Sequence, residues 1–274
     1  MKIVLTGSRG QVGASLHRLL ADHEVHLLDR PHWTLDGPDC GTPIRDLAPD
    51  WVIHTAAWTA VDACAESPEL ARRRNGEAVA EIAAACKSTG SRLLHVSTNE
   101  VFPGEANTTY HETSTPNPIN PYGAAKHVAE EAIQSSGAEA IIVRTAWVFS
   151  QTHANFATRI LALARERPSL QVVADEFGNP TYAPDLAIAL RDLLLSDARG
   201  IFHLVNEGVA SRLSWTQCLL DCAGLDTPLH PISQSEFPRA STPPKHAVLT
   251  NTRAKEQGIF LPRWEDACGR FCTG

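Results

Sequence analysis

Apolar and polar positions along the chain change period again and again. Lys2-Ile3-Val4-Leu5-Thr6 is a short apolar run of the kind a buried strand makes. An amphipathic helical stretch follows, with Leu16, Leu19 and Leu20 on one side, and Glu24 to Leu28 predicts a second strand. Trp51–Thr55, Arg92–Ser97 and Ala140–Thr145 predict further strands. An alanine-rich helix is predicted over Glu77–Ser88 and another over Pro121–Ser135. Strands and helices in alternation predict an α/β fold: a Rossmann-type, doubly wound parallel sheet with helices on both faces. Beyond about residue 146 the spacing loosens, and Gly and Pro become frequent around Asp175–Pro184 and Thr227–Pro244. The expected division is therefore residues 1–145 and residues 146–274, the second smaller and partly interleaved with the first.

Between the first strand and its helix stands Gly7-Ser8-Arg9-Gly10-Gln11-Val12-Gly13, and Asp29 closes the second strand. Strand, glycine turn, helix, strand and acid is the order that places a pyrophosphate on a helix N-terminus and a carboxylate on a ribose. The glycines are spaced GxxGxxG, so the context carries the reading more than the glycines do. It makes residues 1–145 mainly an NAD(P)-binding domain and residues 146–274 mainly a substrate-binding region. Asp29 on the adenosine ribose favours NADH, whereas Arg9 and Arg30 on a 2′-phosphate favour NADPH. Both cofactors remain open.

Asn120-Pro121-Tyr122-Gly123-Ala124-Ala125-Lys126 starts the helix at Pro121, with Asn120 as its cap and Pro121 in its first position. Tyr122 and Lys126 are four apart and share a helix face. A lysine beside a phenol is expected to lower its pKa and make Tyr122 a proton donor near neutral pH. Ligands in this fold lie beyond the carboxyl ends of the strands. Ala56-Ala57-Trp58-Thr59 leaves one strand with small residues beside a cofactor, and Ser97-Thr98-Asn99 leaves the next. Thr98 is a candidate to hold a substrate carbonyl together with Tyr122.

Composition narrows the remaining classes. A net charge of −7 argues against a nucleic-acid partner, and no apolar run approaches a membrane span. Met1 leads straight into the first strand, so a cytoplasmic protein is expected. Seven cysteines, an odd number, fit reduced thiols. Cys218 and Cys222 share one helix face, and Cys268 and Cys272 another. Four thiolates suit zinc, but the spacing favours buried structural cysteines, and no metal site is expected.

The chain resembles the extended short-chain dehydrogenases/reductases, and within them the dTDP-4-dehydrorhamnose reductase branch. The resemblance rests on Gly7–Gly13, Ala57-Trp58-Thr59-Ala60-Val61-Asp62, Ser97–Gly104 and the Tyr122/Lys126 pair. It extends through Arg144-Thr145-Ala146-Trp147-Val148-Phe149 and Phe177-Gly178-Asn179-Pro180-Thr181. It implies a cofactor, NADPH or NADH, held by Gly7, Arg9, Gly10, Gln11, Val12, Gly13, Asp29, Arg30, Ala57, Trp58, Thr59, Val96, Tyr122 and Lys126. It implies Tyr122, Lys126 and Thr98 as the catalytic residues, and Thr98, Asn99, Glu100 and Trp147 beside a nucleotide sugar. Trp147 reads equally well as a core aromatic.

The implied reaction is reduction of the 4-keto group of a nucleotide-linked, preferentially dTDP-linked, 4-keto-6-deoxy sugar, with a homodimer compatible with the family. That branch usually reads Ser-Thr-Asp-Tyr-Val-Phe where this chain has Ser97-Thr98-Asn99-Glu100-Val101-Phe102. The related 4,6-dehydratases carry Thr-Asp-Glu there. Asn99 is an amide and cannot protonate a leaving hydroxyl, which disfavours a dehydratase. Two alternatives stay beside the reductase: an epimerase or dehydratase, and a regulatory binding protein similar to the methionine adenosyltransferase regulatory subunit.

Overall fold

The computed structural model describes residues 1–273. Six strands form the central sheet: β1 (Lys2–Thr6), β2 (Glu24–Leu28), β3 (Trp51–His54), β4 (Arg92–Thr98), β5 (Ala140–Thr145) and β6 (Gly200–His203). Their order is β6-β5-β4-β3-β1-β2, and every pairing is parallel. The expected doubly wound fold is therefore the observed one. The strand order reverses at β1, so the crevice beyond β1 and β3 is the switch point where such sheets bind ligands.

Side-chain alternation decides the layers. Ile3, Leu5, Ile53, Leu94, Ile141 and Val143 point to one face. There they meet Leu16 and Leu20 at the end of helix α1 (Gln11–Leu19), and Leu186, Leu190 and Leu193 of a later helix. Val4, Val52, Leu93 and Ile142 point to the other face, against α2 (Ala78–Thr89) and α3 (Pro121–Ser136). Strands buried on both faces read as continuous apolar runs, which is why the sequence marks them clearly.

Several boundaries shift by one residue from expectation. The strand expected to reach Thr55 stops at His54, where the Thr55 hydroxyl turns to donate to Thr6 O at 2.8 Å. The helix expected from Glu77 begins at Ala78, after a π-helical turn over Arg73–Glu77.

After β5 the chain builds α4 (Phe156–Glu166), then returns to the sheet as α5 (Ala183–Leu194) and β6. It leaves again for α6 (Arg212–Ala223) and α7 (Trp264–Thr273). α4, α6 and α7 enclose a second core around Phe149, Trp215 and Phe271. Cys218 and Cys222 lie on α6 and Cys268 and Cys272 on α7, and all are free thiols. Among the described residues no three His, Cys, Asp or Glu side chains are grouped to hold a metal. No described helix is long and apolar enough to cross a membrane.

Candidate active site

The glycine turn is as tight as atoms allow. Gly7 has φ +73°, and a Cβ there would lie 2.6 Å from Ala56 N. A Cβ on Gly13 would lie 2.2 Å from Gly7 O. Gly10 N donates to Gly7 O at 2.9 Å and caps α1 without any side chain of its own. The first amides of α1 therefore face outward without a side-chain partner, which is the arrangement that receives a pyrophosphate. The Gln11 side chain is committed elsewhere: its Oε1 accepts from Ser150 at 2.9 Å and Asn155 at 3.0 Å. Only the backbone of Gln11 and Val12 is left to line a phosphate.

Asp29 follows β2, and Ser8 Oγ donates to its carboxylate, fixing the acid beside the turn. Arg9 and Arg30 are both exposed on either side of it. Trp58 is held by a residue that sequence reading missed. Asn75, in the π-helical turn and 1% exposed, accepts from Trp58 N at 2.8 Å and donates to Trp58 O at 2.9 Å. No sequence signal marked it: the close approach of Gly76 to Val128 and Ala125 O of α3 shows only in the fold. Ala57 is half-buried beside Trp58, and Thr59 is exposed.

The start of α3 delivers Tyr122 as expected. Asn120 Oδ1 accepts from Gly123 N at 2.8 Å, and Pro121 occupies the first turn. Gly123 brings the helix hard against the strand end, since a Cβ there would lie 2.0 Å from Glu100 O. Tyr122 is consequently buried, with the Thr98 hydroxyl against its phenol. Thr98 ends β4 and also accepts from Glu100 N at 3.2 Å.

The electrostatics overturn one expectation. Burial, reinforced by the Glu100 carboxylate, pushes the Tyr122 phenol above its ordinary range, and only the Thr98 hydroxyl opposes this. Lys126 does not lower it. The ammonium is turned away, donating to Val96 O at 2.7 Å and contacting His95 Nε2 at 2.9 Å. Burial brings the lysine itself down to about 7, although Glu130 nearby works the other way.

Trp147 adopts a left-handed backbone, φ +44°, which a bulky residue holds only when its surroundings dictate it. Its ring lies on Gly178, where a Cβ would approach to 2.8 Å, and it stacks on Trp215 at 5.7 Å. The Arg212 guanidinium lies 3.6 Å from the ring centre and pairs with the buried Glu176 at 2.8 Å. Neither residue was singled out from the sequence. Arg144 anchors the same segment from below: it forks onto Glu130 at 2.6 and 3.0 Å, and Ser97 also donates to Glu130 at 2.5 Å.

A sequence model of the family described as RmlD substrate binding domain matches residues 1–273. A dTDP-4-dehydrorhamnose reductase of Burkholderia thailandensis is 36% identical, over 98% of this chain and 97% of its own. The chain belongs to the dTDP-4-dehydrorhamnose reductase family. A solved family structure from Clostridium acetobutylicum superposes with a TM-score of 0.95 at 30% identity, covering 99% of this chain and 98% of the other. Another, from Bacillus anthracis and in complex with NADP, gives 0.94 at 29% identity, covering 99% of each chain.

Within this reductase family the pair Asn99-Glu100 is the local departure, and the structure gives each a place. Asn99 is 3% exposed and spends its amide donor on Ala247 O at 2.9 Å, tying the loop to the C-terminal segment. The Glu100 carboxylate accepts from Asn120 Nδ2 at 2.7 Å. Burial raises its pKa to about 6, against the opposing Asn120 hydrogen bond. Glu100 therefore borders Tyr122 as a carboxyl group that exchanges its proton in the range where a reductase works.

Proposed function

We propose that this chain reduces the 4-keto group of a nucleotide-linked 4-keto-6-deoxy sugar, dTDP-linked by its family, with NADPH or NADH. The observation that carries the reading is the meeting of Tyr122 and Thr98 at the end of β4, on the same carboxyl edge of the sheet as the glycine turn that follows β1. The cradle of Gly7 and Gly13 and the uncapped α1 N-terminus fit a dinucleotide pyrophosphate, with Asp29, Arg9 and Arg30 at the ribose. Val96 would border a reduced nicotinamide, which would supply the hydride when bound. Tyr122 then delivers a proton to the forming alkoxide, and the Thr98 hydroxyl holds that oxygen. Lys126 sits beneath the site with its pKa lowered by burial, and Trp147, held by Gly178, Trp215 and the Arg212–Glu176 ion pair, borders the sugar side. On this reading the enzyme acts in the cytoplasm, as a monomer or homodimer.

The test mixes purified protein, dTDP-4-keto-6-deoxy sugar and NADPH or NADH, follows cofactor oxidation, and reads the product's C4 configuration by NMR. Binding of cofactor without turnover of such a sugar overturns the reading in favour of a regulatory role. Tyr122→Phe is expected to keep cofactor affinity within about 2-fold and to lose roughly 10²-fold or more in kcat.

A further inference from the structure

Strands β1, β3 and β4 pair in register so that Thr6 lies opposite His54, and His54 opposite His95. All three are at most 1% exposed, as is Lys126. Thr6 Oγ1 lies 2.7 Å from His54 Nδ1. The rings of His54 and His95 stack at 5.3 Å and 13°, and His95 Nε2 lies 2.9 Å from Lys126 Nζ. A polar row thus runs under the sheet's carboxyl ends, from the residue before the glycine turn to the lysine.

We infer that His95 is a positioning residue for Lys126, acting as a permanently neutral imidazole whose Nε2 accepts from the ammonium. This rests on the reductase reading above. While Lys126 is charged it has donors only, so Nε2 then offers a lone pair and Nδ1 carries the ring proton. Protonation of either ring is opposed first by burial and then by the lysine charge beside it. His54 Nε2 and His95 Nδ1 have no protein partner, so no carboxylate draws a proton onto them. From α3, Glu130 favours the charged lysine, but its oxygens are occupied by Arg144 and Ser97. Tyr122 lies one turn back on the same helix. The sheet side offers the lysine two neutral acceptors, Val96 O and His95 Nε2. Thr6 and the stacked His54 keep the His95 ring in the plane that presents Nε2.

The experiment compares the pH profile of kcat/KM in wild type, His95→Leu and His95→Gln, with Tm and cofactor affinity measured alongside. Loss of the acceptor makes the ammonium lose its proton at lower pH. The alkaline limb of His95→Leu is therefore expected to move down by about one unit. His95→Gln, whose amide oxygen accepts, is expected to restore it. An unmoved limb in an active His95→Leu enzyme overturns the proposal, since a purely structural ring would change Tm alone. Nitrogen-15 NMR of the wild-type rings decides independently of whether the variants fold. An Nδ1–H, Nε2-unprotonated His95 down to pH 5 supports the proposal, and an Nε2–H tautomer refutes it. A wild type that turns over no 4-keto sugar refutes the reductase reading instead and leaves the tautomer result standing.

Discussion

Lys126 is buried and spends its hydrogen bonds on Val96 O and His95 rather than on Tyr122. The four-residue spacing was legible because a helix face is fixed by geometry. The direction of the Tyr122 pKa was not legible, because burial outweighs a neighbouring charge and burial is a property of the packed site. The same burial brings the lysine from its ordinary 10.5 down to about 7. A depressed folded-state pKa contributes stability that is complete above the unfolded value and is lost as pH falls through the folded one. Wild type should therefore lose roughly 2–3 kcal/mol between pH 9 and pH 6 that Lys126→Met does not lose. Urea unfolding of both proteins at the two pH values checks this, and parallel pH curves would sink it. The variant is expected to be at least as stable as wild type and, on the proposed role of Lys126, nearly inactive.

At the scale of elements, what the sequence made plain is what periodicity and caps encode. β1, β2 and β5 and the start of α3 fall where apolar runs and the Asn120-Pro121 pair place them. The return of α5 and β6 to the sheet was not legible. Ala183-Pro184 and Gly200 read as loop chemistry, and only the apolar face of α1 shows that α5 must cover it. The π-helical turn that carries Asn75 was equally hidden, since one inserted residue leaves helical composition unchanged. Gly123 shows an element-level constraint that composition cannot reveal. Gly123→Ala places a methyl 2.0 Å from a backbone carbonyl that has no room to yield. It is expected to cost about 1–3 kcal/mol and, by moving Tyr122 off Thr98, at least about 10-fold in kcat. Gly137→Ala, at the other end of α3, meets nothing nearer than the Lys87 side chain at 3.6 Å but must adopt φ +69°. It should lower Tm by a comparable backbone strain while leaving kcat intact. Thermal melts beside steady-state rates separate the two, and equal loss of kcat would refute the assignment of Gly123 to the site.

The whole molecule is held as one unit by side chains that cross between residues 1–145 and residues 146–273. Asn99 reaches Ala247, and Asn120 reaches Thr242. Gln11 is the crossing nearest the pyrophosphate cradle: it donates to Val148 O at 3.3 Å and accepts from Ser150 and Asn155. Its neighbours bear on the proposed sugar side, because Val148 follows Trp147 and Asn155 caps α4. A residue that only lined the phosphate would affect cofactor affinity alone. On the proposed site the Gln11 contacts link the two ligands, so Gln11→Ala is expected to raise KM for the sugar and Kd for the cofactor together, each several-fold, with a stability cost of about 1–2 kcal/mol. Gln11→Glu keeps the two acceptor contacts but loses the donor to Val148 and adds negative charge at the α1 N-terminus. It should spare the sugar KM relative to Gln11→Ala and weaken the cofactor more, through repulsion of its phosphates. Cofactor fluorescence titration with steady-state sugar kinetics on the two variants makes the distinction. A Gln11→Ala enzyme with an unchanged sugar KM would show that the two halves bind their ligands independently.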